Sequence, residues 1–458
     1  MSLTRTVEIV FRRYLPSPFV IALLLTLVTM GLALVFGEYP DGEHPGTAIL
    51  RSWEKGLWNR ELLVFAYQMM LILVLGHVLV LSRPMERLIL RLTSLTRDGA
   101  SAALLVASTT MLVSFFNWGL GLIFGAILAR KVGEYAQRQQ IPLNYPLIGA
   151  CGYVGLMIWH GGISGSAPIK VSEPGHLAGL MNAGSKGAAL NLYPETIPTA
   201  ETIFSTPNLV IFGLVFAAIC ALVYYLGRKT GPTLISLPSY AFSEREKSPA
   251  SGAERLDHSP VLSTVLGSLI FLAFLVQYLP QLRTLNLTPD MLNFFMLGLA
   301  IILHGNIRSF LQATQEAIGD TAGILIQFPL YFGIMGIMTE SGLIHRISDF
   351  FVAVSTERTF PVFTFFSAGL VNIFVPSGGG QWAVQGPIII EAAQRLGVSL
   401  PKAVLALSYG DQLTNMLQPF WALPLLGITR LKAREILPYT LLFMFVGGVI
   451  YLGGLWFS

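Results

Sequence analysis

The sequence predicts an all-α polytopic membrane protein, with about nine spans and two re-entrant hairpins set in two inverted repeats. Three observations carry that expectation. The 458 residues are 53% hydrophobic and 12% charged, with a mean hydropathy of +0.64, whereas soluble globules carry about 25% charged residues. Several apolar runs reach the roughly 17 to 25 residues that a helix needs to cross a bilayer, and they do not alternate as barrel strands do. Two further apolar stretches are broken midway by glycine-rich or proline-containing polar points, which survive at membrane depth only where protein or a wet cavity covers them.

Taken in chain order, Arg5, Arg12 and Arg13 precede an apolar run from Phe19 to Phe36. That run is too long for a signal-peptide core and no small-x-small cleavage site follows it, so it is read as a retained first span with a cytoplasmic N-terminus. Hydropathy and the placement of Lys and Arg mark spans near Pro18 to Gly37, Glu61 to Leu81, Tyr145 to Ile169, Pro207 to Leu226, Ser259 to Leu279, Asp290 to Leu303, Thr321 to Thr339, Pro401 to Leu426 and Pro438 to Phe457. The net charge of +4 and pI near 9.0 follow from basic residues in short loops beside these spans, so a nucleic-acid partner is not expected. Cys151 and Cys220 fall inside apolar spans and read as packing residues.

The stretch 100–129 lies between Arg91 and Arg97 on one side and Arg130, Lys131 and Arg138 on the other. Both ends are therefore cytoplasmic, and the segment dips in and returns. The stretch 360–390 is its counterpart, with both ends outside. Two spans, a hairpin, an interrupted span and a closing span thus occur twice, in residues 1–227 and 290–458. Residues 228–289 hold a cytoplasmic linker, with the polar run Ser243 to Gly252, and one connecting span whose odd crossing inverts the second unit. The loops 37–60 and 171–206 are expected outside and carry no recognisable domain.

A hairpin tip leaves carbonyls at the end of one half-helix and free amides at the start of the next, so it holds ions of either sign. The tips are Asn117-Trp118-Gly119 and Pro376-Ser377-Gly378-Gly379-Gly380-Gln381-Trp382. Each following span is broken too, at Trp159-His160-Gly161-Gly162-Ile163-Ser164-Gly165-Ser166-Ala167-Pro168, within the interrupted span 145–169, and at Ser408 to Pro419, within 401–426. Four breaks meeting near the midplane predict one polar pocket, with Asn117, Trp118, Gly119, His160, Gly161, Gly162, Ser164, Ser166, Ser377, Gly378, Gly379, Gly380, Gln381 and Trp382 as candidate substrate contacts. For His160 a packed core histidine is the competing reading.

Asp411 is the one acid placed well inside a span. Its charge there requires a partner, a cation or a proton, so it reads as a coupling-ion ligand or proton carrier, against a structural hydrogen bond. Gln412 and Asn415 join it as candidate coupling-ion residues, and with Gln418 they fall on one helix face. They either line the cavity or tie helices together. Trp118, Trp159, Trp382 and Trp421 read as packing residues or as apolar walls of the pocket. No resident cofactor or metal is expected. The coupling ion is a proton or sodium.

At Asn372-Ile373-Phe374-Val375-Pro376-Ser377-Gly378-Gly379-Gly380-Gln381-Trp382-Ala383-Val384-Gln385-Gly386-Pro387, and at Trp159 to Pro168, the chain resembles the bacterial short-chain fatty acid transporter family, the AtoE type. The resemblance implies uptake of monocarboxylates such as acetoacetate and butyrate across the inner membrane with cation coupling. More distantly the hairpin pattern is similar to the ion-transporter superfamily of elevator carriers, which implies a moving transport domain and a homodimeric scaffold. Those carriers typically have Ser-Asn-Thr at their hairpin tips, where this chain has Phe116-Asn117-Trp118 and Pro376-Ser377-Gly378.

The expected function is secondary active transport. A channel with the glycine run as its filter is one alternative. A membrane-embedded enzyme is another, although the chain has no Walker-type motif, no His-Glu-x-x-His cluster and no evident base for Ser377.

Overall fold

A computed structural model describes residues 18–39, 44–182, 193–233, 237–238, 252–375, 377–418 and 421–457. Arg5, Arg12, Arg13, residues 243–251 of the polar run, Pro376 and Pro419 lie outside the described residues.

The described residues form helices and no strand. The first half runs α1 (Pro18–Phe36), α2 (Pro45–Leu57), α3 (Arg60–Val80) and α4 (Arg83–Thr93). The pair α5 (Gly99–Phe116) and α6 (Trp118–Arg138) follows, joined by Asn117 alone. Then come α7 (Tyr145–Tyr153), 3-10 turns at Val154–Met157 and Trp159–Gly161, the short α8 (Ser166–Lys170), α9 (His176–Asn182) and α10 (Thr206–Lys229). After the one-turn α11 (Glu254–Asp257) and the long α12 (Pro260–Arg283), the second half runs α13 (Pro289–His304), α14 (Ile307–Ala317), α15 (Ala322–Glu340) and α16 (Leu343–Val354). The pair α17 (Phe360–Phe374) and α18 (Gly378–Leu396) leads to α19 (Leu400–Thr414), a 3-10 turn at Asn415–Leu417, α20 (Leu423–Thr429) and α21 (Ala433–Phe457).

Among the described residues, seven helical segments are long and apolar enough to cross a membrane, including the interrupted Tyr145–Lys170, and three more apolar helices are shorter. The architecture is that of a polytopic membrane protein. Helix starts follow local chemistry: Asp98 accepts from the Ser101 amide at 2.7 Å while Ser101 Oγ accepts from the Asp98 amide at 2.9 Å, a reciprocal cap on α5. Asn117 and Asn144 cap α6 and α7 one way only, their Oδ1 atoms accepting from the Leu120 and Leu147 amides.

The short helices α2, α4, α14 and α16 were not anticipated in the loops between spans. Each is amphipathic and too short for a span, so a hydropathy window averages its apolar face away. Both pairs also run past their expected ends, α6 to Arg138 and α18 to Leu396. Charge masked this in α6: Arg130, only 2% exposed, donates through Nε to Glu134 Oε1 at 3.0 Å and also bonds the carbonyls of Thr429 and Pro238, while Lys131 Nζ meets Glu134 Oε2 at 3.1 Å. Internal pairing makes those charges tolerable in a buried helix.

The two halves interlock. Helices α1 and α2 pack on α15, while α13 and α14 pack on α3. The second arm of each pair lies against the far half of the other interrupted segment, α6 on α20 and α18 on α8. At the α2–α15 contact Gly56 faces Gly333 and Gly336, where a Cβ would stand 2.5 Å from the Phe332 carbonyl oxygen, so only small residues allow this approach.

Candidate functional site

Breaking a helix in an apolar setting frees backbone groups, each of which needs a partner. In the first interrupted segment, the amides of His160 and Gly161 donate to Gln412 Oε1 at 2.8 and 3.1 Å. The carbonyls of Leu156, Met157 and Gly161 accept from Asn415 Nδ2, the Tyr451 hydroxyl and Asn208 Nδ2. In the second, the Tyr153 hydroxyl reaches the carbonyls of Asn415 and Gln418 at 3.0 and 3.2 Å. Asn372 Nδ2 donates to the Asp411 carbonyl at 2.7 Å and to Asn415 Oδ1 at 3.1 Å. The breaks are cross-stitched to each other. Tyr153→Phe is expected to cost about 1 kcal/mol, the scale of buried bonds in membrane bundles, seen as a lower melting temperature in detergent with substrate affinity retained.

The two tips differ. Asn117 is fully buried, with Oδ1 taken by the Leu120 amide at 2.7 Å and Nδ2 donating to the Ile72 carbonyl at 3.2 Å. The Trp118 amide donates to Ser164 Oγ at 2.9 Å, and the Ile163 amide to the Phe115 carbonyl at 2.7 Å. Protein groups thus satisfy much of the first tip. At the second tip Ser377 Oγ accepts from the Gly380 amide at 3.3 Å. The earlier amides of α18, at Gly378 and Gly379, have no acceptor within the helix.

Those two glycines and Ser377 line a cavity. Met69, Leu156, Ser166, Ile324, Phe328 and Asn415 also line it, and Trp118, Trp159 and Trp421 form an aromatic wall. Trp118 meets Trp159 at 5.6 Å between ring centroids and Trp421 edge-on at 5.2 Å. The indole Nε1–H groups of Trp118 and Trp159 are buried without a hydrogen-bond partner. Free donors beside apolar surface suit an anion with a short hydrocarbon tail.

Behind Gly378 stands a buried pair, His160 at 0% and Asp411 at 1% exposure. His160 Nδ1 is 3.2 Å from Asp411 Oδ1, although neither atom has the alignment of a hydrogen bond. His160 stacks on Trp159 at 4.5 Å, and its Nε2 accepts from the Ala167 amide at 3.1 Å.

Of the residues expected in the pocket, Trp118, Ser166, Ser377, Gly378, Gly379 and Asn415 line the cavity. The others lie around it. Gly119 packs on Leu73, Gly161 on Asn208, Gly162 on the Phe115 backbone and Gly380 on Tyr331. Gln381 Nε2 donates to the Ala368 carbonyl and to Gln385, Trp382 Nε1 donates to His176 Nε2 at 2.9 Å, and Gln412 Oε1 is held by two amides. Burial, reinforced by the nearby Lys170 charge, pushes His176 down to about 3, as its acceptor role requires.

Sequence reasoning did not find Met69, Leu156, Ile324 or Phe328, which carry no local signal apart from apolarity. It also missed the buried Lys170, which bonds Gln68 Oε1 at 2.9 Å and pairs with Glu173, while Gln68 Nε2 reaches Glu173 and Asp290 at 2.8 Å. A basic residue ending an apolar run looks like a span boundary; only packing shows it to be 3% exposed.

Comparison with known proteins gives the site its context. The family model described as short chain fatty acid transporter matches residues 1–458. A protein of Escherichia coli (strain K12) named for short-chain fatty acid transport is 38% identical over 460 residues, covering 97% of this chain and 96% of its own. A likewise named protein of Haemophilus influenzae is 35% identical over 452 residues, covering 97% of each chain. In fold, the chain is similar to the YdaH transporter of Alcanivorax borkumensis, with a TM-score of 0.62 at 17% identity over 96% of this chain and 98% of that one. It is also similar to MtrF of Neisseria gonorrhoeae, described within a class of antimetabolite efflux pumps, at 0.57 and 14% over 98% and 97%. The named relatives are transporters, not enzymes, and by full-length match and sequence identity this chain belongs to the short-chain fatty acid transporter family.

Proposed function

We propose that the protein is a secondary carrier that moves short-chain monocarboxylates such as butyrate and acetoacetate across the bacterial inner membrane together with a cation. One observation carries the reading. The cavity is lined by Gly378 and Gly379, whose amides have no acceptor within the helix, by Trp118 and Trp159, whose indole N–H groups are buried without a partner, and by the apolar Met69, Ile324 and Phe328. A carboxylate takes the donors and its alkyl tail the apolar side. In this reading the helical pairs α5–α6 and α17–α18 are re-entrant hairpins, and the order of elements traversed twice, with α12 between, is an inverted repeat. Alternating access then follows as an elevator movement of the hairpins and interrupted segments against a dimeric scaffold, by likeness to the ion-transporter superfamily.

The test is counterflow. In proteoliposomes preloaded with unlabelled butyrate, labelled butyrate is expected to overshoot transiently above the level in protein-free vesicles, with saturating initial rates. Non-saturating flux with ohmic single-channel currents points to a channel and overturns the carrier.

A further inference from the structure

We infer that the coupled cation is a proton carried by Asp411, and that His160 positions this carboxylate as a neutral imidazole. The inference deepens the carrier reading and rests on it.

The first step is the tautomer. Because the Ala167 amide donates to Nε2 at 3.1 Å, that nitrogen holds a lone pair, and the ring proton sits on Nδ1, facing Asp411 Oδ1 at 3.2 Å. A second proton on the ring would set two donors against each other at Nε2. An arriving proton therefore goes to Asp411, whose two carboxylate oxygens are buried with no hydrogen-bond partner.

The second step is the donor set. A hard metal cation needs about six oxygen ligands; near Asp411 its own two carboxylate oxygens, Asn372 Oδ1 and Gln418 Oε1 are buried without a hydrogen-bond partner, while other oxygens already accept hydrogen bonds. Gln412 Oε1 holds two amides, and Asn372 Nδ2 takes both Asn415 Oδ1 and the Asp411 carbonyl. His160 turns a donor toward the carboxylate. From neighbouring elements, Asn372 on α17 donates to the Asp411 carbonyl, Gly378 on α18 approaches His160, and Asn208 on α10 donates to the Gly161 carbonyl. The hydroxyls of Tyr409 and Tyr451 donate to Asn208 Oδ1 and the Met157 carbonyl. Among the described residues, His160 is the only basic group within ion-pair distance of Asp411, and no group of three or more His, Cys, Asp or Glu gathers to hold a metal.

The third step is the coupling. A Cβ added to Gly378 would stand 2.9 Å from His160 Cε1, so a carboxylate on the Gly378 and Gly379 amides lies one imidazole away from Asp411. Two like charges at that spacing in a low-dielectric site disfavour each other. Binding of the anion favours the protonated form of Asp411, and protonation favours the anion to the same extent. Proton and carboxylate then travel as a neutral pair.

Butyrate binding to the purified full-length protein, measured by calorimetry in two buffers of different ionisation enthalpy, counts the protons taken up. Wild type is expected to take up close to one proton per butyrate, about one by linkage, with the same affinity in sodium and choline salts. His160→Gln accepts from Ala167 and donates toward Asp411 as the neutral ring does, so it keeps this uptake; His160→Leu lowers it. Asp411→Asn binds butyrate without proton uptake. Absence of uptake in wild type, a tenfold sodium effect on affinity, or uptake persisting in Asp411→Asn overturns the assignment. Loss of uptake in His160→Gln, with the protein monodisperse and binding butyrate, makes histidine the carrier and also overturns it. Wild type that neither binds butyrate nor shows counterflow instead sinks the carrier reading.

Discussion

Gly378→Val should lower butyrate affinity at least about 100-fold, close to 2.8 kcal/mol at 1.4 kcal/mol per tenfold change, while the protein still folds. Gly378 opens α18 at the cavity, and a Cβ there would stand 2.7 Å from Trp159 Cη2 and 2.9 Å from His160 Cε1. Trp159 has little room to retreat, since it stacks on His160 and leans on Trp118. The valine side chain therefore occupies the space beside the free amides where a carboxylate would lie. The collision is with aromatic rings and not with backbone, and overpacking of this type costs about 1 to 3 kcal/mol. The measurement is butyrate binding beside the elution profile and melting temperature of the same preparation. Affinity within threefold of wild type removes the second tip from the binding site.

Asp411→Asn is expected to abolish gradient-driven uptake while counterflow persists. The substitution keeps size and polarity but removes the group that gains and loses charge, so an anion at Gly378 no longer favours a proton. Initial uptake under an imposed proton gradient should then fall to the level of protein-free vesicles, a necessary baseline because undissociated short-chain acids cross lipid unaided. Exchange needs only loaded carrier to move in both directions. Uptake at the wild-type rate by Asp411→Asn excludes this carboxylate from coupling, and loss of both activities with intact protein assigns it to substrate binding.

The places where the chain breaks were legible before folding because they are local. Gly378 to Gly380 behind Ser377, and Gly161 to Gly165, stand out from apolar surroundings, and the structure starts α18 at the first and interrupts a helix at the second. Asp411 was conspicuous for the same reason. The amphipathic α2, α4, α14 and α16 were not, because their apolar faces appear only at helical spacing and are diluted by the charged faces. Lys170 read as an edge because its partner Gln68, itself bonded to Asp290, lies far away in sequence.

By itself, then, the sequence determined a helical membrane protein, the positions of its backbone breaks, the intramembrane acid and the family motifs, all of which express the cost of polar or helix-breaking residues in an apolar run. Tertiary structure decided which break faces the cavity. It consumed Asn117 and Ser164 in hydrogen bonds at the first tip, left Gly378 and Gly379 open at the second, and brought His160 against Asp411. Residue type states what a group can donate or accept, but whether that capacity is already satisfied depends on neighbours supplied by distant segments.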